Sequence, residues 1–142
     1  MSDDRAMPSE YWLGNPSIDA QHGVLFAIFD QIDRSLLESD EGGHAFAMDF
    51  ILSGLRTYVR THFKFEEILM ARIGYVDRSL HAREHRAFEQ EVAAIAEHFA
   101  AARDDNEKRR VVEETRAFLY GWLGEHIVEV DRKLCAALAA EG

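Results

Sequence analysis

Apolar residues recur at alternating steps of three and four along most of the chain, the spacing of helices that turn one face toward their neighbours. His22, Leu25, Phe29, Ile32 and Leu36 mark a first row, and Met48, Leu52, Leu55, Val59, His62, Glu66, Leu69 and Ile73 a second. His81, His85, Phe88, Val92, Ile95 and Phe99 form the third and cleanest. The fourth runs through Val112, Thr115, Leu119, Trp122 and His126, then on to Asp131, Leu134 and Leu138. Helix starts are predicted at an N-cap on Asp19 or Ser17, near His44, at Asp77 or Ser79, and after the break Arg103–Asp104–Asp105–Asn106. Glu38, the loop Ser39–Asp40–Glu41–Gly42–Gly43 and a left-handed Gly74 are the predicted stops. Residues 1–17 read as an extended arm, because Pro8 and Pro16 disfavour regular structure, with Tyr11, Trp12 and Leu13 packed on the helices. Four amphipathic helices with short links predict an all-α, up-down-up-down four-helix bundle over residues 18–142 as a single domain.

Each inward row carries residues that do not belong in an apolar core. A lone buried histidine is more often a hydrogen-bonded core residue than a ligand, but His62 and Glu66 leave the same face of one helix turn. A buried carboxylate costs several kcal/mol unless something cationic meets it. His22 opens the first helix, His62 and Glu66 lie late in the second, His81 and His85 open the third, and His126 and Asp131 lie late in the fourth. On alternating antiparallel helices, these positions share one end of the bundle. His44 and His98 fall outside this layer and are expected to face solvent.

One spacing is irregular. His126 and Asp131 are five residues apart, about 140° around a regular α-helix. The apolar row shifts by one residue at the same place. A local π-type bulge would let both side chains face inward.

Composition narrows the chemistry. The 142 residues are 47% apolar with two prolines, which suits a folded domain with a real core. A net charge of −10 with no basic patch argues against nucleic acid or an anionic membrane as partner. The polar, acidic N-terminus does not read as a secretory signal and no apolar run reaches membrane-spanning length, so a soluble, cytoplasmic chain is expected. A single cysteine, Cys135, excludes an intramolecular disulfide and a cysteine-based zinc or iron–sulfur site. Five imidazoles and two carboxylates are too many for one zinc and too nitrogen-rich for calcium or magnesium. They suit two first-row transition ions, with Glu66 and Asp131 free to bridge. Two divalent ions would then be nearly balanced by two carboxylates and a bridging hydroxide.

Four segments in order resemble the bacterial hemerythrins: Gly14-Asn15-Pro16-Ser17-Ile18-Asp19-Ala20-Gln21-His22, His62 to Met70 with Gly74-Tyr75, His81-x-x-x-His85, and Trp122-Leu123-x-x-His126-Ile127-x-x-x-Asp131. The likeness spans nearly the whole chain. Val76 departs from it, standing where the family often has proline, at a distance from the ligands. The resemblance implies a non-heme di-iron centre: His81, His85 and His126 on one iron, His22 and His62 on the other, and Glu66, Asp131 and a hydroxide bridging them. It implies that dioxygen binds at the open position of the second iron. Trp122, Leu123 and Ile127 would line the oxygen pocket, although each also reads as ordinary core.

The leading expectation is a reversible oxygen binder acting as carrier, store or local supplier to an oxygen-using enzyme. The alternatives are a di-iron peroxidase, oxidase or nitric-oxide-handling enzyme, and an oxygen or redox sensor acting on a signalling partner. Ferritin-like di-iron oxidases draw on four Glu and paired Glu-x-x-His motifs. Here the only Glu-x-x-His is Glu41 to His44, across the glycine loop, so oxidation chemistry ranks below binding.

Overall fold

The computed structural model describes residues 7–37 and 41–141, with side chains left undescribed at 35–37 and 41–48. Its rods are α1 (Pro16–Leu37), α2 (Glu41–Ile73), α3 (Arg78–Ala101) and α4 (Asp105–Glu125). The last continues through a π-helical segment (His126–Asp131) into α5 (Arg132–Glu141), so the fourth rod is built from three pieces. No strand occurs among the described residues. The architecture is the predicted four-helix bundle.

Helix ends follow local chemistry, with two departures from expectation. Asn15 caps α1: its Oδ1 accepts the Ile18 N–H at 3.1 Å, and its carbonyl accepts the Asp19 N–H at 2.8 Å. Pro16 takes the first helical position, where a missing N–H costs nothing and φ is already suitable. Pro16 therefore starts the helix rather than excluding it, and neither Ser17 nor Asp19 is the cap. Asp19 instead clamps the arm, accepting the Leu13 N–H at 2.8 Å and the Gly14 N–H at 3.0 Å. Gly14 supplies the positive φ of 91° that this turn-back needs. The arm is also less extended than predicted, since Ser9–Tyr11 form a 3₁₀ turn. Tyr11 and Leu13 pack on the bundle but Trp12 is exposed.

Gly74, at φ 64°, ends α2 in a Schellman motif: Tyr75 N–H bonds the Met70 carbonyl at 2.9 Å and Gly74 N–H the Ala71 carbonyl. Asp77 precedes α3, and Asp104 caps α4 by accepting the Glu107 N–H at 2.9 Å. Gly42 and Gly43 lie within α2 rather than in a loop. Residues 38–40, and the side chains of Leu36, His44 and Met48, lie outside the described set.

The core has two parts. A long cluster fills most of the bundle and includes Leu25, Phe29, Leu55, Phe63, Phe88, Leu119, Leu123 and Ile127. A smaller one, Ile18, Met70, Leu134 and Cys135, closes the end that carries the predicted ligands. Counted inward from that end of the bundle, α1, α2 and the fourth rod each pass from the small cluster to polar residues to the long cluster. The buried polar layer is thus sealed above and below by apolar side chains. Met70 provides part of that seal and is fully buried, whereas Leu69 and Ile73, predicted inward, are only half-buried.

Candidate metal centre

His22, His62, Glu66, His81, His85, His126 and Asp131 meet in this layer, each no more than 2% exposed. Two overlapping groups emerge. Glu66, His81, His85, His126 and Asp131 can offer one ligand atom each within 4.8 Å of one another, and so can His22, His62, Glu66 and Asp131. Only the two carboxylates belong to both. Their oxygens divide between the groups. Glu66 Oε1 lies 3.2 Å from His81 Nε2 and 3.1 Å from His85 Nε2, while Oε2 lies 3.3 Å from His62 Nε2. Asp131 Oδ1 lies 3.0 Å from both His81 Nε2 and His126 Nε2, while Oδ2 lies 2.9 Å from His22 Nε2.

Asp131 reaches this position because the fourth rod is locally π-helical. Arg132 N–H bonds the Ile127 carbonyl, five residues back, so the segment from His126 to Asp131 holds one extra residue. The five-residue spacing then returns to the same face, and the shift of the apolar row is explained with it.

The donor set fits a pair of transition ions. Several atoms approach closely but are not angled to bond one another: His22 Nε2, His126 Nε2, Glu66 Oε2 and both Asp131 oxygens are buried without a hydrogen bond. Leaving that many polar atoms unsatisfied in a core is costly unless a cation meets them. Imidazole nitrogen with shared carboxylate oxygen is the chemistry of iron, zinc, copper or nickel rather than calcium.

The residues behind the ligands were not singled out from the sequence. His62 Nδ1 faces Gln21 Oε1 at 2.5 Å, His85 Nδ1 faces Glu67 Oε2 at 2.9 Å, and His126 Nδ1 faces Glu84 Oε1 at 2.9 Å. These oxygens can only accept, so each Nδ1 carries the hydrogen and Nε2 is left for the cluster. Gln21 and Glu67 adjoin His22 and Glu66, about 100° off the inward row, where periodicity reads them as surface. Phe63 was also overlooked. It stacks on His85 at 3.8 Å with an interplanar angle of 3°.

Trp122 is half-buried and stacks on His126 at 4.1 Å, with Leu123 and Ile127 buried in the adjoining core. His98 is exposed, as expected.

Electrostatics couple the layer. Burial opposes charge on His126, but Asp131 and Glu84 outweigh it and push its pKa up to about 10. Burial likewise opposes charge on His81, and Asp131 with Glu66 raises it to about 9. Burial and the neighbouring Asp131 would raise Glu66, yet the close imidazoles of His62, His81 and His85 hold it below its usual range. Burial would also raise Asp131, yet the charge of His126 and the close approach of His22 and His81 hold it well below its usual range. Protons and a metal ion would compete for the same lone pairs.

The chain is similar to known proteins over most of its length. Residues 13–138 match the family model described as the hemerythrin HHE cation binding domain. The chain is 32% identical over 126 residues to a bacteriohemerythrin of Clostridium acetobutylicum, covering 87% of this chain and 93% of that one. It is 31% identical over 122 residues to a bacteriohemerythrin of Methylococcus capsulatus, covering 86% of each. A crystal structure of wild-type hemerythrin superposes with a TM-score of 0.71 at 25% identity, over 93% of this chain and 95% of that one.

Proposed function

The chain belongs to the hemerythrin family, and from that premise we propose that it binds dioxygen reversibly as a carrier, store or local supplier in the cytoplasm, rather than acting as an enzyme. His81, His85 and His126 would hold one iron, His22 and His62 the other, with Glu66, Asp131 and a hydroxide shared between them. The observation that carries this reading is the division of four carboxylate oxygens between a three-histidine and a two-histidine group. The unequal count leaves the His22–His62 side one protein ligand short.

Two irons held there would supply the electrons for binding dioxygen; the protein supplies the setting. Gln21, Glu67 and Glu84 accept the Nδ1 hydrogens and fix three imidazoles in the tautomer that presents Nε2. Trp122, Leu123 and Ile127 form an apolar wall that keeps water away. Ile18, Met70 and Leu134 seal the opposite side. A dry, histidine-rich site favours holding the ligand over spending it on oxidation of a substrate.

The test is anaerobic reconstitution with ferrous iron, then an absorption spectrum in air and again under vacuum. A charge-transfer band that appears in air and bleaches under vacuum, with two irons per chain, is the expected result. One iron per chain, or steady turnover of peroxide or nitric oxide without such a band, would overturn it. A deoxy-dependent partner in a pull-down would favour a sensor.

A further inference from the structure

We propose that a small recess beside His81 is a hydrated vestibule through which divalent metal ions enter and leave the buried cluster, a proposal that rests on the di-iron reading above. All seven candidate ligands are at most 2% exposed, so an aqueous ion meets none of them without a route inward. The recess has a volume of about 120 Å³ and is lined by Tyr75, Asp77, Leu80, His81, Glu84 and Lys133 among others. At about 30 Å³ per molecule that is room for a few waters.

His81 ties the recess to the cluster. Its Nε2 lies 3.2 Å from Glu66 and 3.0 Å from Asp131. Its Nδ1, like that of His22, is buried and makes no hydrogen bond within the protein, whereas those of His62, His85 and His126 do; of the two, only His81 lines the recess. Buried polar atoms are nearly always satisfied, and water in the adjoining recess would satisfy this one. The ring thus separates solvent from the inner face of the three-histidine group.

The lining suits a cation. Asp77 and Glu84 contribute two carboxylates against the single ammonium of Lys133. Neither His22 nor His62 lines the recess, which separates this route from the proposed oxygen-binding side.

The experiment follows cobalt(II) uptake by the metal-stripped full chain in stopped flow, and its release to a chelator. Leu80 is 56% exposed, and Asp77 makes no side-chain cap bond to α3, so Leu80→Trp and Asp77→Asn should both fold. Leu80→Trp should slow uptake and release by the same factor while affinity and stoichiometry stay unchanged, the signature of a blocked path rather than a damaged site. Asp77→Asn should slow uptake by about 2- to 5-fold at low salt, fading as salt screens the attraction, and Lys133→Gln should speed it. Parent-like rates in both Leu80→Trp and Asp77→Asn would overturn the vestibule. A parent chain that never binds a second ion would overturn the dinuclear reading instead.

Discussion

α3 and the fourth rod each deliver two candidate ligands, by different helical geometry. His81 and His85 are four residues apart on a regular α-helix, one turn above another. His126 and Asp131 are five apart, and face the same way only because the ladder between them widens to π. Their support differs too. His85 draws its carboxylate partner and its stacking ring, Glu67 and Phe63, from α2. His126 takes Glu84 from α3 but Trp122 from its own rod, one turn back. A regular row can thus be read from spacing alone, whereas a ligand beyond a helical irregularity is placed by the fold that tolerates the irregularity.

Deleting one residue from each rod sharpens the contrast and should give the largest effect. Removing Ala82 turns His85 and every later position of α3 by about 100°, so metal content and the cooperative melt should both be lost. Removing Val128 takes out the extra residue of the π segment and leaves the phase of Leu134 and Cys135 unchanged. That variant should fold and bind metal, more weakly. Equal damage in metal analysis and thermal melts would show that the π segment is not a one-residue insertion in a regular helix.

Removing the shared carboxylates comes next. Glu66→Ala in α2 and Asp131→Ala in the fourth rod should each hold at most one ion per chain by metal analysis. In the stripped protein, Glu66→Ala should cost about 3–5 kcal/mol, because it strands imidazolium groups in the core. Two ions retained in either variant would refute the bridging assignment.

Titration compares the rods directly. In stripped protein the pKa of His81 is raised to about 9 and that of His126 to about 10, from 6.5. A raised folded-state value means stabilisation that is complete below the unfolded pKa and is lost as pH rises through the folded one. The melting temperature should therefore fall progressively from about pH 6.5 and level off above about pH 9 to 10, with His81 titrating before His126 by NMR. Glu66 and Asp131 are lowered, so their contribution is present above the ordinary carboxylate range and lost in acid. Metal-loaded protein should instead show no such decline between about pH 6.5 and 10, and should release metal toward acid pH.

The smallest effects should come from the supporting carboxylates. Glu67→Gln and Glu84→Gln keep shape and remove charge, and each should weaken metal binding by about 10- to 100-fold without unfolding the chain. If only Glu84→Gln is affected, the fourth rod depends on α3 more than α3 depends on α2.

Much was legible because helices convert spacing into direction. The four rods, the inward histidines of α3, and even the irregularity at His126–Asp131 follow from residue order, since 3.6 residues per turn leaves few ways to bury those side chains. Individual helix ends were less secure. Asn15 rather than Asp19 caps α1, because Asp19 is drawn away to backbone N–H groups of the arm, a contact that only the turn at Gly14 creates. Met70 rather than Leu69 seals the cluster, since a long helix drifts relative to a strict three-four repeat and its neighbours decide which residue falls inside. Gln21, Glu67 and Glu84 sit at flanks that periodicity assigns to solvent, and only packing against another rod turns them toward an imidazole. Residue order thus determined the kinds of candidate ligand and the level of the bundle at which they meet. Tertiary structure decided which oxygen faces which histidine and which neighbour holds each ring, because those depend on distances between helices that no single helix carries.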